Sequence, residues 1–280
     1  WDNLPKGTMV IEPDHYLVWS NHMAKELQDY YPYIQKQQIK ITGSPQFELH
    51  YDKTHLQNRE GFFKKYGLNL NKKYICFSGD DITTSPHDPE YLRDVMEAVK
   101  ELNNKGQNLA VIFRPCPVDF SSRYDKVLDE FTEIVIRIRP EWTKKGDIWN
   151  TILPKPTDQT LLFNTIYHSD LVINLGSSMV FDAVCLEKPC AYVNYNPNVK
   201  TLKKDIKTIY RYVHFQSMPN KNAVIWLNSK AEIADKILEG LNNPKPYVEN
   251  AEIWFEKINK NPANQASERI IEALKEIINS

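Results

Sequence analysis

The sequence predicts an α/β fold in which a parallel sheet carries helices on both faces. Two observations lead there. Short apolar runs alternate with amphipathic helical patterns, many of ten or more residues, and that alternation is the mark of βαβ units. The central runs, such as Leu109–Phe113 and Leu171–Leu175, are continuously apolar, as expected of strands buried on both sides. With 280 residues, 41% of them hydrophobic, the chain is long enough for a sizeable core.

The elements follow in order. Tyr16–Trp19 is an expected strand, and Asn21–Tyr30 a helix with Ser20 as N-cap, since a serine oxygen can accept from the free amides of a first turn. Gln38–Thr42 is a second strand, stopped by Gly43-Ser44-Pro45. Arg59–Tyr66 reads as a helix closed by Gly67, and Lys73–Ser78 as a strand leading into Gly79-Asp80-Asp81. A helix over Glu90–Asn103 precedes the strand Leu109–Phe113, which stops at Arg114-Pro115. Phe131–Ile138 is a further expected strand. Then come a helix over Asp158–His168, the strand Leu171–Leu175 and a helix over Ser178–Leu186. Ala191–Asn194 and Ala223–Trp226 are strands. Lys230–Leu241, Glu249–Lys260 and Gln265–Ile278 are helices.

Composition excludes several classes. Lys plus Arg is 35 and Asp plus Glu 36, a formal net charge of -1, so the basic excess of a dedicated nucleic-acid binder is missing. No apolar run approaches the ~18–20 residues of a membrane-spanning helix. The four cysteines form no C-x-x-C pair and read as reduced, mostly buried thiols of a cytosolic chain. The seven histidines show no zinc-type spacing, so no structural metal is expected. The first residue is Trp1 rather than Met, which reads as a piece of a longer protein.

In open α/β sheets, ligands bind beyond the carboxyl ends of the strands. Neither G-x-G-x-x-G nor a P-loop occurs there, which disfavours a Rossmann dehydrogenase and a P-loop NTPase. The foremost candidate is Gly176-Ser177-Ser178, where a strand turns into a helix. Free amides and the positive helix end would face an anion, and the serine hydroxyls would either bind it or simply cap the helix. Asp182 lies one turn on, on the same helix face as Ser178, either to accept from ribose hydroxyls or as an acid favoured by the dipole. Arg114 could clamp a diphosphate or pair with an acid such as Asp119. Gly79 and Asp80 follow another strand, in a turn that would bind sugar hydroxyls or a cation, or be solvated. His87, His168 and His214 are acid–base candidates that most often prove structural. The Tyr30–Tyr33 and Tyr210–Phe215 aromatics read as core or interface, and Glu187, Lys144-Lys145 and Lys203–Lys207 as solvated surface.

Taken in sequence, these motifs resemble the GT-B glycosyltransferases of bacterial surface-polysaccharide pathways, in the UDP-glycosyltransferase and glycogen phosphorylase superfamily. More distantly they resemble CDP-glycerol glycerophosphotransferases. The resemblance runs through Trp1-Asp2-Asn3, Tyr16–Ser20, Ile39–Phe47, Arg114–Pro117, Ser169–Pro189 and Ala266–Ile271, most of the chain in order. It implies a Rossmann-like C-terminal donor domain plus a remnant of a second Rossmann-like domain. Residues 1–50 would be the end of the acceptor-side domain and the crossover, and 51–248 the donor-binding domain. Residues 249–280 would be helices packing back toward the N-terminal side. It implies that Ser177 and Ser178 contact the diphosphate of a nucleotide-sugar donor, Asp182 the ribose, and Arg114 the leaving group. Two departures stand out. Asp182 is often Glu in relatives, and Cys116 stands where relatives often carry His.

The implied reaction passes a sugar to a surface-polysaccharide or lipid-linked acceptor, with no metal and no cofactor beyond the donor. Asp80-Asp81 is not a D-x-D motif. The implied location is cytoplasmic, with peripheral contact at the inner face of the membrane left open by lipid-linked acceptors. The acceptor base is expected in the missing part, so this piece should bind nucleotide yet turn over poorly. An NDP-sugar 2-epimerase, a CDP-glycerol-type glycerophosphotransferase and a non-catalytic nucleotide-binding module stay open beside this reading.

Overall fold

The computed structural model describes residue 9 and residues 11–146 and 149–279; Trp1-Asp2-Asn3 lies outside them. Six parallel strands form the main sheet: β3 (Lys73–Ser78), β4 (Leu109–Arg114), β5 (Val135–Arg137), β8 (Leu171–Asn174), β9 (Cys190–Val193) and β10 (Ile225–Leu227). They lie in the order β10-β9-β8-β3-β4-β5. The chain starts the sheet in the middle, winds outward through β4 and β5, then returns to β8 and winds the other way. That is the doubly wound Rossmann order, and its reversal point lies between β3 and β8.

Strand composition explains the layering. On β4, Leu109, Val111 and Phe113 enter one core while Ala110 and Ile112 enter the other, the period of two that a pleated strand imposes. The larger core lies under α3 (Asp88–Asn104), α6 (Met179–Cys185), α8 (Ile233–Asn242) and α9 (Lys245–Ile258). The smaller one lies under α2 (Arg59–Tyr66), where Phe62 and Phe63 pack with Tyr74, and α5 (Thr157–Tyr167) adds Leu161. α2 closes on Gly67, whose φ of 70° is the left-handed conformation glycine adopts without strain.

A small unit precedes the main sheet. β1 (Tyr16–Val18) and β2 (Ile39–Ile41) pair in parallel across α1 (Asn21–Tyr30), around Val18, Met23, Leu27 and Ile34. Ser20 caps α1 by accepting from the Met23 amide at 3.3 Å. A 3-10 segment over Pro45–Tyr51 joins this unit to the rest through Phe47, whose ring meets Trp19, Phe181 and Phe255 edge-on. The end of the chain returns to the unit. The Lys260 amide donates to the Trp19 carbonyl at 2.8 Å, and α10 (Ala266–Ile278) sends Arg269 to the Thr42 carbonyl at 2.7 Å.

Several expectations are corrected. The strand expected over Phe131–Ile138 shrinks to β5, because α4 (Asp125–Glu130) runs into a turn over the first residues. The helix expected from Lys230 starts with a 3-10 turn and becomes α-helical at Ile233. An antiparallel pair of β6 (Trp142–Lys144) and β7 (Ile152–Pro154) was not expected, and each strand is too short to carry a readable alternation. α7 (Ile206–Ile209) lies in what reads as a charged surface stretch. Among the described residues, no helix is long and apolar enough to cross a membrane. The four cysteines are free, with Cys76 and Cys190 buried.

Candidate functional site

The reversal between β3 and β8 brings Gly79-Asp80 and Gly176-Ser177-Ser178 to the same edge of the sheet. The Gly79 amide donates to the Arg114 carbonyl at 2.8 Å. A Cβ on Gly79 would stand 3.0 Å from the Tyr124 hydroxyl and 3.1 Å from the Phe113 ring, so only glycine lets the loop settle there without displacement.

The loop that follows is knotted by polar contacts. Asp88, fully buried, accepts from the Tyr124 hydroxyl at 2.7 Å, the Ser85 hydroxyl at 2.8 Å and the Asp80 amide at 3.1 Å. Arg123 donates to the carbonyls of Ser85 and Asp80 and pairs with Asp119. Burial, then the neighbouring Asp88 carboxylate, pushes the Asp80 carboxyl up to about 8. Burial pushes Asp88 up to about 6, against the hydrogen bonds that favour its charge. Rather than a solvated turn, Gly79-Asp80-Asp81 is therefore a half-buried turn with a carboxyl that keeps its proton near neutral pH. Among the described residues, no group of three His, Cys, Asp or Glu side chains could hold a metal ion.

At the other loop, Asn174 accepts from the Ser177 amide at 2.8 Å, and the Ser177 hydroxyl caps α6 by accepting from Met179 at 3.2 Å. Ser178, at the N-cap position, makes no capping hydrogen bond with its side chain. Gly176 has φ +66°, and a Cβ there would lie 2.7 Å from Phe215 and 3.3 Å from Tyr210. Aromatic rings thus approach the Gly176 backbone closely. The segment 195–218 lies over the strand ends. Tyr210 donates to the Val193 carbonyl at 2.6 Å, the Lys203 amide to His87 Nε2 at 2.9 Å, and Lys204 to the Thr83 carbonyl at 3.1 Å. The cavity left beneath, between Ser85, His87, Leu175 and Ile206, is about 10 Å³, too small for a nucleotide.

Arg114 does not pair with the expected Asp119, which Arg123 takes. Arg114 Nη2 lies 3.0 and 2.9 Å from the two oxygens of Asp158, at the start of α5, and both side chains are buried. Asp158 also accepts from the Glu141 amide at 2.8 Å and the Trp142 indole at 2.6 Å, so the pair ties β4 to α5 and β6. Position after a strand marked Arg114 as a candidate; the acid 44 residues on was not visible in the sequence.

Asp182 is engaged as well. His50 Nε2 lies 2.7 Å from its Oδ1, bringing the Pro45–Tyr51 segment against α6. Sequence reasoning missed His50, since nothing local links residues 132 positions apart.

No protein-family model matches the chain, and no curated protein matches it. Solved structures do. Staphylococcus aureus MnaA, solved with UDP, superposes with a TM-score of 0.59 over 95% of this chain at 16% identity, and 61% of that chain is covered. A putative UDP-N-acetylglucosamine 2-epimerase from Listeria monocytogenes gives 0.57 over 93% of this chain and 58% of its own, at 13% identity. A variant of the wall teichoic acid polymerase TagF soaked with CDPG gives 0.54 over 94% and 58%, at 13% identity. The fold is of GT-B type.

The chain spans about three-fifths of the length of these GT-B-type proteins. On the GT-B-type sheet, His168 falls at the amino-terminal edge, ahead of β8. It bonds the Gln57 carbonyl at 3.0 Å and stacks on Phe62, and burial lowers its pKa, so it acts structurally. A cavity of about 510 Å³ between Arg59, Tyr167, His168 and Lys188 also opens at that edge, away from the strand ends. His87 stands at the carboxyl edge, beside the loop after β3.

Proposed function

We propose that residues 51–248 form the donor-binding part of a nucleotide-sugar enzyme. It would transfer a sugar to a surface-polysaccharide or lipid-linked acceptor by stabilising the leaving nucleoside diphosphate. One observation carries the reading: the strand order places Gly79-Asp80 and Gly176-Ser177-Ser178 together at the reversal point of a Rossmann sheet, where such sheets bind ligands. The UDP in the S. aureus structure of the same fold supports it.

The chemistry follows from the residues. A diphosphate at this edge meets the Ser178 hydroxyl, which no helix cap engages, and the positive end of α6. An ionised Asp80 would repel it. With its carboxyl pushed up to about 8, Asp80 instead donates a hydrogen bond near neutral pH. Asp182 accepts from the ribose. Arg114 is left out of this machinery because Asp158 holds it. Segment 195–218 swings aside to admit the donor, since the present cavity cannot hold it. The leaving charge is stabilised by these hydrogen-bond donors; the proposal includes no metal or cofactor, and the acceptor base lies outside residues 51–248.

A thermal-shift titration with UDP, GDP, CDP, ADP and dTDP tests this. A ligand at about 100 times its dissociation constant stabilises the fold by about 2.7 kcal/mol. The reading expects one base to shift the transition, with the shift lost in Ser178→Ala. CDP selectivity would favour the glycerophosphotransferase alternative, which the fold shared with TagF keeps in view. Donor turnover at the sugar's second carbon without an acceptor would favour the epimerase alternative. No shift with any nucleotide, here or in the chain extended to full length, would overturn the reading.

A further inference from the structure

The pairing of His50 with Asp182 has geometry that simple packing does not require. The His50 side chain is fully buried and that of Asp182 is 19% exposed. The imidazole lies against Phe163, with ring centres 6.2 Å apart and planes 23° from parallel. Its Nε2 faces Asp182 Oδ1 at 2.7 Å, while Nδ1 is buried with no hydrogen-bond partner. An ionised carboxylate only accepts, so the proton of that contact sits on Nε2. A second proton on Nδ1 would be buried with no acceptor, which costs the full desolvation of a donor. Nε2 is therefore the ring nitrogen whose N–H is aimed at Asp182.

The segment that carries His50 is itself pinned. The Ser44 amide donates to the Asn259 side chain at 2.7 Å, and Glu48 accepts from the Ser267 amide and hydroxyl at 2.6 Å each. The imidazole thus reaches α6 from a fixed support. Asp182 spends Oδ1 on it. Among the described residues no hydrogen bond reaches Oδ2, although the side chain is partly open.

We propose that His50 is a positioning residue that locks the Asp182 rotamer and turns Oδ2 toward the hydroxyl pair of the donor's ribose, making the Pro45–Tyr51 segment part of the donor site. This rests on the donor-binding reading above.

The experiment measures, on the 280-residue chain, the affinity of whichever nucleoside diphosphate binds, together with its 2′,3′-dideoxy form. The variants are His50→Phe, His50→Gln and Asp182→Asn. His50→Phe should weaken the ribonucleotide about tenfold and leave the dideoxy form unchanged. His50→Gln, whose amide can donate from a similar place, should restore most of the loss. In nitrogen-detected NMR the wild-type ring should show a bare Nδ1 and a protonated Nε2. If His50→Phe weakens both nucleotides equally, or neither, the positioning role is overturned while donor binding stands; a protonated Nδ1 would overturn it too. If wild type binds no nucleotide, the donor reading fails and takes this inference with it. Should His50→Phe fail to fold, His50→Gln against Asp182→Asn decides, because only the latter should erase the preference for the ribonucleotide.

Discussion

Arg114 and Asp158 meet at the carboxyl end of β4, with one guanidinium nitrogen 3.0 and 2.9 Å from the two carboxylate oxygens. Both side chains are under a tenth exposed, and Asp158 takes two further hydrogen bonds from Glu141 and Trp142. Removing one partner strands the other charge in the interior, which costs about 3–5 kcal/mol. Arg114→Ala should therefore lower unfolding free energy by about that much in a urea titration. A variant of unchanged stability that loses only nucleotide affinity would return Arg114 to the donor site.

Ser177 and Ser178 are neighbours with different duties. Ser177 caps α6 and Ser178 does not. Ser177→Ala should cost about 1 kcal/mol, the usual value of a lost cap. Ser178→Ala should stay within about 0.5 kcal/mol of wild type while losing the nucleotide-induced thermal shift. Equal stability losses in the two would assign Ser178 a structural role.

Asp80 makes stability depend on pH in a defined direction. Its folded pKa, about 8, lies above its ordinary value of 3.8. Between these the native state holds a proton that the unfolded chain has released, so stability falls as pH rises through this window. The slope is at most about 1.4 kcal/mol per pH unit for one group. Asp88, raised to about 6, adds to the lower half. Urea midpoints should fall from pH 5 to 8, and Asp80→Asn should flatten the upper half of that fall. A midpoint that does not change with pH in wild type would contradict the buried, protonated Asp80.

Gly176→Ala meets two obstacles, a left-handed backbone and a contact of 2.7 Å with the Phe215 ring. The backbone alone costs about 1–2 kcal/mol. The double variant with Phe215→Leu should regain the steric part and keep the backbone part. Full additivity of the two changes in denaturation experiments would show that Phe215 does not press on this turn.

Much of the architecture was legible because local physics decides it. Lys73–Ser78, Arg59–Tyr66 with its closing Gly67, and Asn21–Tyr30 with its Ser20 cap all have the bounds expected from the sequence. Each joins a clear apolar period to a strong stop or start signal. β6 and β7 have neither, being three residues each, and Phe131 and Ile134 at the ends of a turn imitate the start of a strand.

The sequence by itself determined the α/β class, most helices and inner strands, and the loops that follow the strands, because propensity, periodicity and turn chemistry act over a few residues. Only the tertiary structure decided that β3 lies beside β8, which brings Gly79 and Gly176 to one edge. It also decided that Asp158 claims Arg114, that His50 claims Asp182, and that Tyr210 and Phe215 cover Gly176. Those partners lie from 34 to 132 residues apart. A buried charge or donor takes whichever group the packed core brings within hydrogen-bond reach, and no local pattern in the chain encodes that proximity.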